Sequence, residues 1–305
     1  NGFGDRCASG CRMWTAPGER DSRVGFRVVR GRVLADGGGT DRVVVPDLKL
    51  TLVWIKPDSF VMGSPTDEGG RDDDERQHKV TLTQPYWLGQ TEVTVSQFRA
   101  FLQATDNTEG VDFGDSDCPL NNDATYSLSG NAFGSSGDQP MVKISYTAAL
   151  NFCEWLTTRE RNAGRLPADE AYRLPTEAEW EYSCRAGSTT KWCFGDDEGL
   201  LGNYAWYDAN AGGNTHIVAQ KTANAWGLYD MHGNVWEWCS DWYDSEYYSS
   251  SPSVDPTGPG TGSNRVLRGG GWYLSARYCR SAIRGGCSPS SSDCNLGFRL
   301  ARGAP

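Results

Sequence analysis

The sequence predicts a mixed fold of short strands and three helices with little other regular structure, on three observations. Apolar residues alternate over short stretches from Leu50 to Gln90, three N-cap signals open amphipathic segments, and beyond Thr176 the chain is rich in Trp and Gly without a sustained hydrophobic period. Leu50-TLVWIK, Phe60-VMGS and Lys79-VTLTQPYWLGQ read as strands. Pro85 breaks the third, because proline cannot donate to a ladder. Between them, Asp67-EGGRDDDER reads as a solvated acidic loop. Thr94 with Gln97 forms a capping box, and Val95, Phe98, Phe101 and Leu102 follow on one helical face. Ser145 opens a longer helix with Ala149, Leu150, Phe152, Cys153 and Leu156 inward, closed by Gly164. Thr176 with Glu179 opens a third, short one that stops at Gly187. Loops rich in Gly, Ser and Asn cover most of residues 106–138 and 185–225. A chain with so few ladders must satisfy its backbone through side chains, local hydrogen bonds or bound ions.

A repeat organises the ends. Pro17-GERDSRV-Gly25-Phe26-Arg27 parallels Pro289-SSSDCNL-Gly297-Phe298-Arg299, and each has a Cys-Arg pair upstream. Residues 1–45 therefore read as an N-terminal extension, a partial repeat of the C-terminal module, with Ala35-DGGGTD as linker. Residues 46–305 form the main domain.

The 305 residues carry a formal charge of −10, which disfavours non-specific binding to nucleic acid or an anionic membrane, since both select a basic face. No apolar run reaches the roughly 18 residues of a membrane span. The 12 Trp and 13 Tyr argue against wholesale disorder. Ten cysteines are scattered, and Cys7 with Cys11 has no second pair at zinc-finger spacing. Cys153, on an apolar helix face, reads as a buried thiol. No signal peptide is visible at Asn1, so a processed precursor is one expectation.

His78, His216 and His232 have no metal-binding or triad-like company, and no phosphate-binding glycine motif is present. Gly269-Gly270-Gly271 follows the strand Arg265-Val266-Leu267 and reads as a place of close backbone packing. In Gly227-LYDMHGNVWEWCSDWY, Asp230 and Glu237 flank a Gly-Asn turn that leaves the carbonyls of Gly233 and Val235 free to point inward. Two carboxylates with turn carbonyls make an oxygen-rich cage for a hard cation such as Ca²⁺; the structural alternative is that both carboxylates cap turns. From Tyr273 to Asn295, Tyr, Leu, Ser, Arg, Gly, Cys and Asp follow no hydrophobic period, between fixed-looking Trp272, Arg280, Ala282, Arg284, Pro289, Gly297 and Phe298. Rigid aromatics among small adaptable polar groups are the composition of a paratope; the alternative is a variable surface loop.

Phe60-VMGS, Arg173-LPTEAEWEY, Gly227-LYDMHGNVWEW, Arg268-GGGW and Asn295-LGFR resemble, in order and spacing, the formylglycine-generating enzyme (sulfatase-modifying factor) family over about residues 48–302. The resemblance implies an α+β, C-type-lectin-like fold of the formylglycine-generating-enzyme type, low in regular secondary structure. It also implies a structural Ca²⁺ held by the Asp230 and Glu237 side chains and the Gly233 and Val235 carbonyls. A second family site would fall near Asn203 and Tyr204, but Asp208-ANAGGNTH departs from the pattern. The family's enzymes bind copper through two redox cysteines placed before the Arg-x-Ala-x-Arg phrase and oxidise a substrate cysteine. Here Gly271-WYLSARYC holds only Cys279, with Leu274 near the first cysteine's place. A lone thiolate cannot supply the paired sulfur ligands of Cu(I), so neither copper nor an enzyme of that type is expected.

The C-terminal stretch resembles the variable region of retroelement-diversified proteins, most nearly the Treponema-type surface lipoproteins. That resemblance implies a variable region over about 272–299. Its ligand-binding positions are Tyr273, Leu274, Ser275, Arg277, Tyr278, Ile283, Gly285, Gly286, Cys287, Ser288, Ser290, Asp293 and Cys294. The expected function is receptor-like or adhesin-like binding of a protein or glycan on another cell or surface, by a monomer at the cell surface. An anchor would be a lipid attached upstream of Asn1. The rival expectation is a formylglycine-generating oxidase acting on a sulfatase cysteine.

Overall fold

The computed structural model describes residues 42–114, 117–120 and 136–304. In chain order these form β1 (Arg42–Val45), β2 (Leu50–Ile55), β3 (Ser59–Met62), β4 (His78–Thr81), β5 (Tyr86–Gly89), α1 (Val95–Thr105), α2 (Tyr146–Asn162), β6 (Ala171–Arg173) and α3 (Glu177–Arg185). Then follow β7 (Trp236–Trp242), β8 (Arg265–Arg268), β9 (Gly285–Cys287), β10 (Leu296–Gly297) and β11 (Ala301–Gly303). Of the N-terminal extension, only residues 42–45 are among those described, so the repeat reading lies almost wholly outside them.

One antiparallel sheet runs β1-β2-β5-β11-β6, a second, mixed sheet runs β10-β7-β8-β9 with β10 parallel to β7, and β3 pairs with β4 as a separate ribbon. Pro85 separates β4 from β5, and the two strands join different sheets. In the second sheet β8 lies just before the segment read as variable, and β9 and β10 lie within it.

Both capping boxes form: Thr94 accepts from Gln97 N–H and Thr176 from Glu179 N–H, with the Gln97 and Glu179 side chains bonding back. Phe98 of α1 stacks on Phe152 of α2 at 5.7 Å between ring centres, and Phe298 meets Phe152 edge-on at 5.6 Å. The Phe298 end of the C-terminal segment is thereby anchored in the main core. The α2 expectation needs one correction: Leu150 is exposed. The inward positions of α2 are Ala148, Ala149, Phe152, Cys153 and Leu156, and the helical period turns residue 150 away from them.

All of α3 is buried. Its N-terminal Glu177 N–H donates to the Asp241 Oδ2 at 2.9 Å. Burial, with Glu177 nearby, pushes the Asp241 carboxyl up to about 7. An unfolded Asp titrates near 3.9. Between those values the folded chain keeps a proton that the unfolded chain releases, so this group's contribution to stability is lost as pH rises from about 4 to about 7. Asp241→Asn, which keeps the acceptor oxygen, is expected to remove that decline; urea unfolding across the window would show the variant's pH profile as the flatter.

Candidate ligand-binding face

Gly269 and Gly270, both at positive φ, turn the chain out of β8. A Cβ on Gly270 would lie 2.3 Å from the Tyr278 carbonyl oxygen, so only glycine lets the returning turn close over it. The chain then runs through a short 3₁₀ turn (Ala276–Cys279) to β9.

Along this stretch side chains divide by position. Tyr273 is 47% exposed, and its hydroxyl accepts from Asn295 Nδ2 at 2.7 Å. Ser275, Arg277, Gly286, Ser290 and Asp293 are exposed; Leu274, Tyr278, Gly285, Cys287, Ser288 and Cys294 are half-buried. Ile283 is set apart from them, 1% exposed inside the main core. Gly286 lies on the surface, but a Cβ there would come 2.7 Å from the Tyr243 ring, so a larger residue requires that ring to move. Arg277 does not offer a free charge, because it pairs with Asp72 and donates to the Gly70 carbonyl at 2.9 Å. A neighbouring loop reaches the same rim, where Asp208 N–H donates to the Leu274 carbonyl at 3.0 Å.

The arginines of this stretch are buried and ionic. Arg268 pairs with Glu181 and donates to the Ser281, Ala282 and Ile283 carbonyls, holding that backbone from beneath. Arg280 forks onto Glu75 at 2.6 and 2.7 Å and reaches Glu68 at 2.7 Å. Arg284 binds Glu177 at 2.7 and 3.0 Å and the carbonyls of Asp74 and Asp244. Burial would raise Glu75, yet Arg280 holds it below the usual carboxylate range. The acidic loop is therefore not wholly solvated as its composition suggested. Glu68 and Glu75 leave water to pair with Arg280, while Asp73 stays exposed.

Cys279 is fully buried, and burial pushes its thiol up to about 12, which leaves almost no thiolate at neutral pH. Its carbonyl contacts His232 Nδ1 at 2.8 Å. Leu274, which the resemblance puts near the family's other redox cysteine, packs against the main core.

A second cluster lies away from these side chains. Asp230 is buried at positive φ, with Oδ2 accepting from Ala219 N–H at 2.7 Å and Oδ1 unpartnered. Glu237 accepts Trp180 Nε1 at 2.7 Å and the Arg299 guanidinium twice at 2.6 Å. Glu92, 1% exposed, has no partner on either oxygen. Burial pushes Glu92 well above the carboxylate range and Asp230 up to about 6. Among the described residues no three acidic, His or Cys side chains form a ready metal cage. The orphaned oxygens of Asp230 and Glu92 nonetheless suit a hard cation completed by carbonyls such as those of Gly233 and Val235. At the second position implied by the resemblance, the Asn203 carbonyl accepts from Thr222 N–H and Tyr204 stacks on Phe194 at 4.2 Å.

The family model of the sulfatase-modifying factor enzyme 1-like domain matches residues 45–304. The chain belongs to this family. A formylglycine-generating enzyme of Streptomyces coelicolor is 34% identical over 286 residues, covering 80% of this chain and 87% of that one. Among solved structures, Treponema denticola variable protein 1 matches with a TM-score of 0.69 at 31% identity, over 88% of this chain and 100% of that one. PvdO from Pseudomonas aeruginosa matches at 0.73 and 30% identity, over 88% and 99%. The sulfatase-modifying-factor chain thus has the expected C-type-lectin-like α+β fold. Among the described residues no helix is long and apolar enough to cross a membrane.

Sequence reasoning found the sulfatase-modifying-factor arginines but not their acidic partners, and it passed over Glu92. Glu92 sits between an apolar strand and the Thr94 cap, and a charge in that apolar context was the available signal.

Proposed function

We propose that this sulfatase-modifying-factor chain is a ligand-binding protein whose retroelement-diversified face takes a protein or glycan on another cell or surface. One observation carries the reading: within a single segment, Arg280 and Arg284 are buried and clamped while twelve of the thirteen positions read as variable are exposed or half-buried. Side chains that bear little on folding are free to be rewritten for binding. Tyr273 supplies large area at low entropy cost, and Ser275 supplies adaptable polarity. The likeness to Treponema denticola variable protein 1 supports the reading. With it we propose a cell-surface location, by lipid attachment upstream, and a structural Ca²⁺ beside Asp230. Exchanging the side chains at 273, 275, 277 and 278 for those of a sibling variant is expected to change which ligand is captured on a cell-surface array while Tm stays within about 2 °C. Exchange that leaves ligand choice unaltered rejects it.

A second reading, the oxidase, is favoured by the 34% identity to the Streptomyces coelicolor enzyme. Against it stand the buried Cys279 thiol and Leu274 at the partner position. Incubation with Cu(I) and a Cys-x-Pro-x-Arg peptide, followed by mass spectrometry, is expected to leave the cysteine intact; its conversion to an aldehyde would establish the enzyme.

A further inference from the structure

Away from the ligand face, three aromatic rings from three segments wall one cleft: Phe60 of β3, Tyr182 of α3, and Trp226 from the loop ahead of Asp230. Its volume is about 460 Å³, within the roughly 300–1,000 Å³ of small-molecule sites, and no residue of 273–294 lines it. The Tyr182 ring centre lies 5.2 Å from that of Phe60 at 50°, and 4.8 Å from that of Trp226 at 65°. The rings therefore meet as a corner, not as a flat platform. Phe60 and Trp226 are half-buried, and Val61 beside them is exposed.

The polar groups of the cleft divide into engaged and free. The Tyr182 hydroxyl donates to the Lys56 carbonyl at 3.0 Å, Ser59 shares a hydrogen bond with Thr81 at 2.8 Å, and Ser188 bonds to Thr190. Arg185 is held by Glu181 at 2.8 Å and donates to the Gly63 and Thr190 carbonyls. Asp58 and Lys79 differ: both are exposed on the rim, and among the described residues neither forms an ion pair. Burial and then the Asp58 carboxylate raise the Tyr182 phenol, so this charge acts on the aromatic wall. A sugar would need the neutral hydroxyls that are already engaged. What remains open is an aromatic corner with one free anion and one free cation at its edge. Aromatic faces attract cations, quaternary ammonium groups among them. A simple cation would meet Lys79 as a like charge, so the fitting ligand carries an anion of its own.

We propose that this cleft binds a zwitterion of the phosphocholine type. Its trimethylammonium group would sit in the corner of Phe60, Tyr182 and Trp226, facing Asp58, and its anionic group, a few bonds away, would face Lys79. The assignment goes beyond the proposed function and stands whether or not the diversified face does.

The probes are phosphocholine, choline and phosphoethanolamine, each titrated calorimetrically into the full chain. Phosphocholine is expected to bind with a Kd below about 1 mM. Choline, which lacks the anion, is expected to bind about fivefold more weakly, the strength of an exposed ion pair. Phosphoethanolamine is expected to bind about tenfold more weakly, because a primary ammonium gives up its water less readily. Lys79→Gln should weaken phosphocholine about fivefold without weakening choline, whereas Asp58→Asn should weaken both. Trp226→Ala is expected to lose about thirtyfold, with Trp226→Phe in between. The two rim variants are exposed and are expected to keep the unsubstituted Tm, so they carry the test should Trp226→Ala not fold. Exchange of the side chains at 273–278 should leave phosphocholine affinity unchanged, which keeps this result distinct from that of the ligand face. Sedimentation with phosphatidylcholine vesicles separates the sources. Sedimentation that Asp58→Asn reduces assigns a lipid headgroup, and solution binding without sedimentation assigns a free or glycan-borne group. Absence of saturable heat with phosphocholine up to about 10 mM overturns the proposal. So does equal affinity for phosphoethanolamine, or an affinity that Asp58→Asn and Lys79→Gln both leave unchanged.

Discussion

Arg268→Ala is expected to destabilise the protein by about 3–5 kcal/mol, the cost of removing one partner from a buried ion pair. Glu181 would be left charged with only Arg185 to balance it, and the Ser281, Ala282 and Ile283 carbonyls would lose their donor in the interior. For a chain of this size about 1 kcal/mol moves Tm by about 2–4 °C, so a fall of the order of 10 °C or failure to express is anticipated. Arg268→Lys should recover part of the loss, because an ammonium keeps the charge but cannot reach an acid and three carbonyls with one planar fork. Calorimetry of the two variants beside the unsubstituted protein checks the ranking. Equal stability of all three would mean that this clamp does not hold the segment.

Ile283→Ala is expected to cost about 2–5 kcal/mol, as deletion of a buried branched side chain does when its surroundings cannot collapse. Tyr273→Ala, ten residues earlier, is expected to change stability by under about 1 kcal/mol, because the ring is half in water. Its effect should fall on binding instead, where exposed aromatics commonly serve as anchors worth about 2 kcal/mol or more. Denaturant midpoints for both variants, read beside ligand capture, separate the two roles. If Tyr273→Ala unfolds the chain as readily as Ile283→Ala, the segment is core and the proposed binding face is lost. The contrast also bears on diversification: of the thirteen positions expected to vary, residue 283 is the one where an Asp or Arg would be buried without a partner.

The elements legible from sequence were those with local causes. A Thr cap with Gln or Glu three residues on marks a helix start because the bonds that form it lie within one turn, and Thr94 and Thr176 both form them. Pro85, which cannot donate to a ladder, stands directly before β5 in the gap between β4 and β5. Gly270 could be read as a site of close backbone approach, although the partner, the Tyr278 carbonyl, could not. The acidic loop was misread for the complementary reason: a run of Asp and Glu has the composition of a solvated loop, and nothing local reveals that two of its members meet a buried arginine.

The sequence by itself determined the family, the helix starts and the break between β4 and β5. Tertiary structure alone decided that Arg280 meets Glu75 across 205 residues, that Ile283 turns inward among outward neighbours, and that Glu92 stands unpaired beside Asp230. Caps and periodicity act over three or four residues and leave a pattern in the chain. The pairing of buried charges is set by which distant backbones pack together, and no local spacing encodes it.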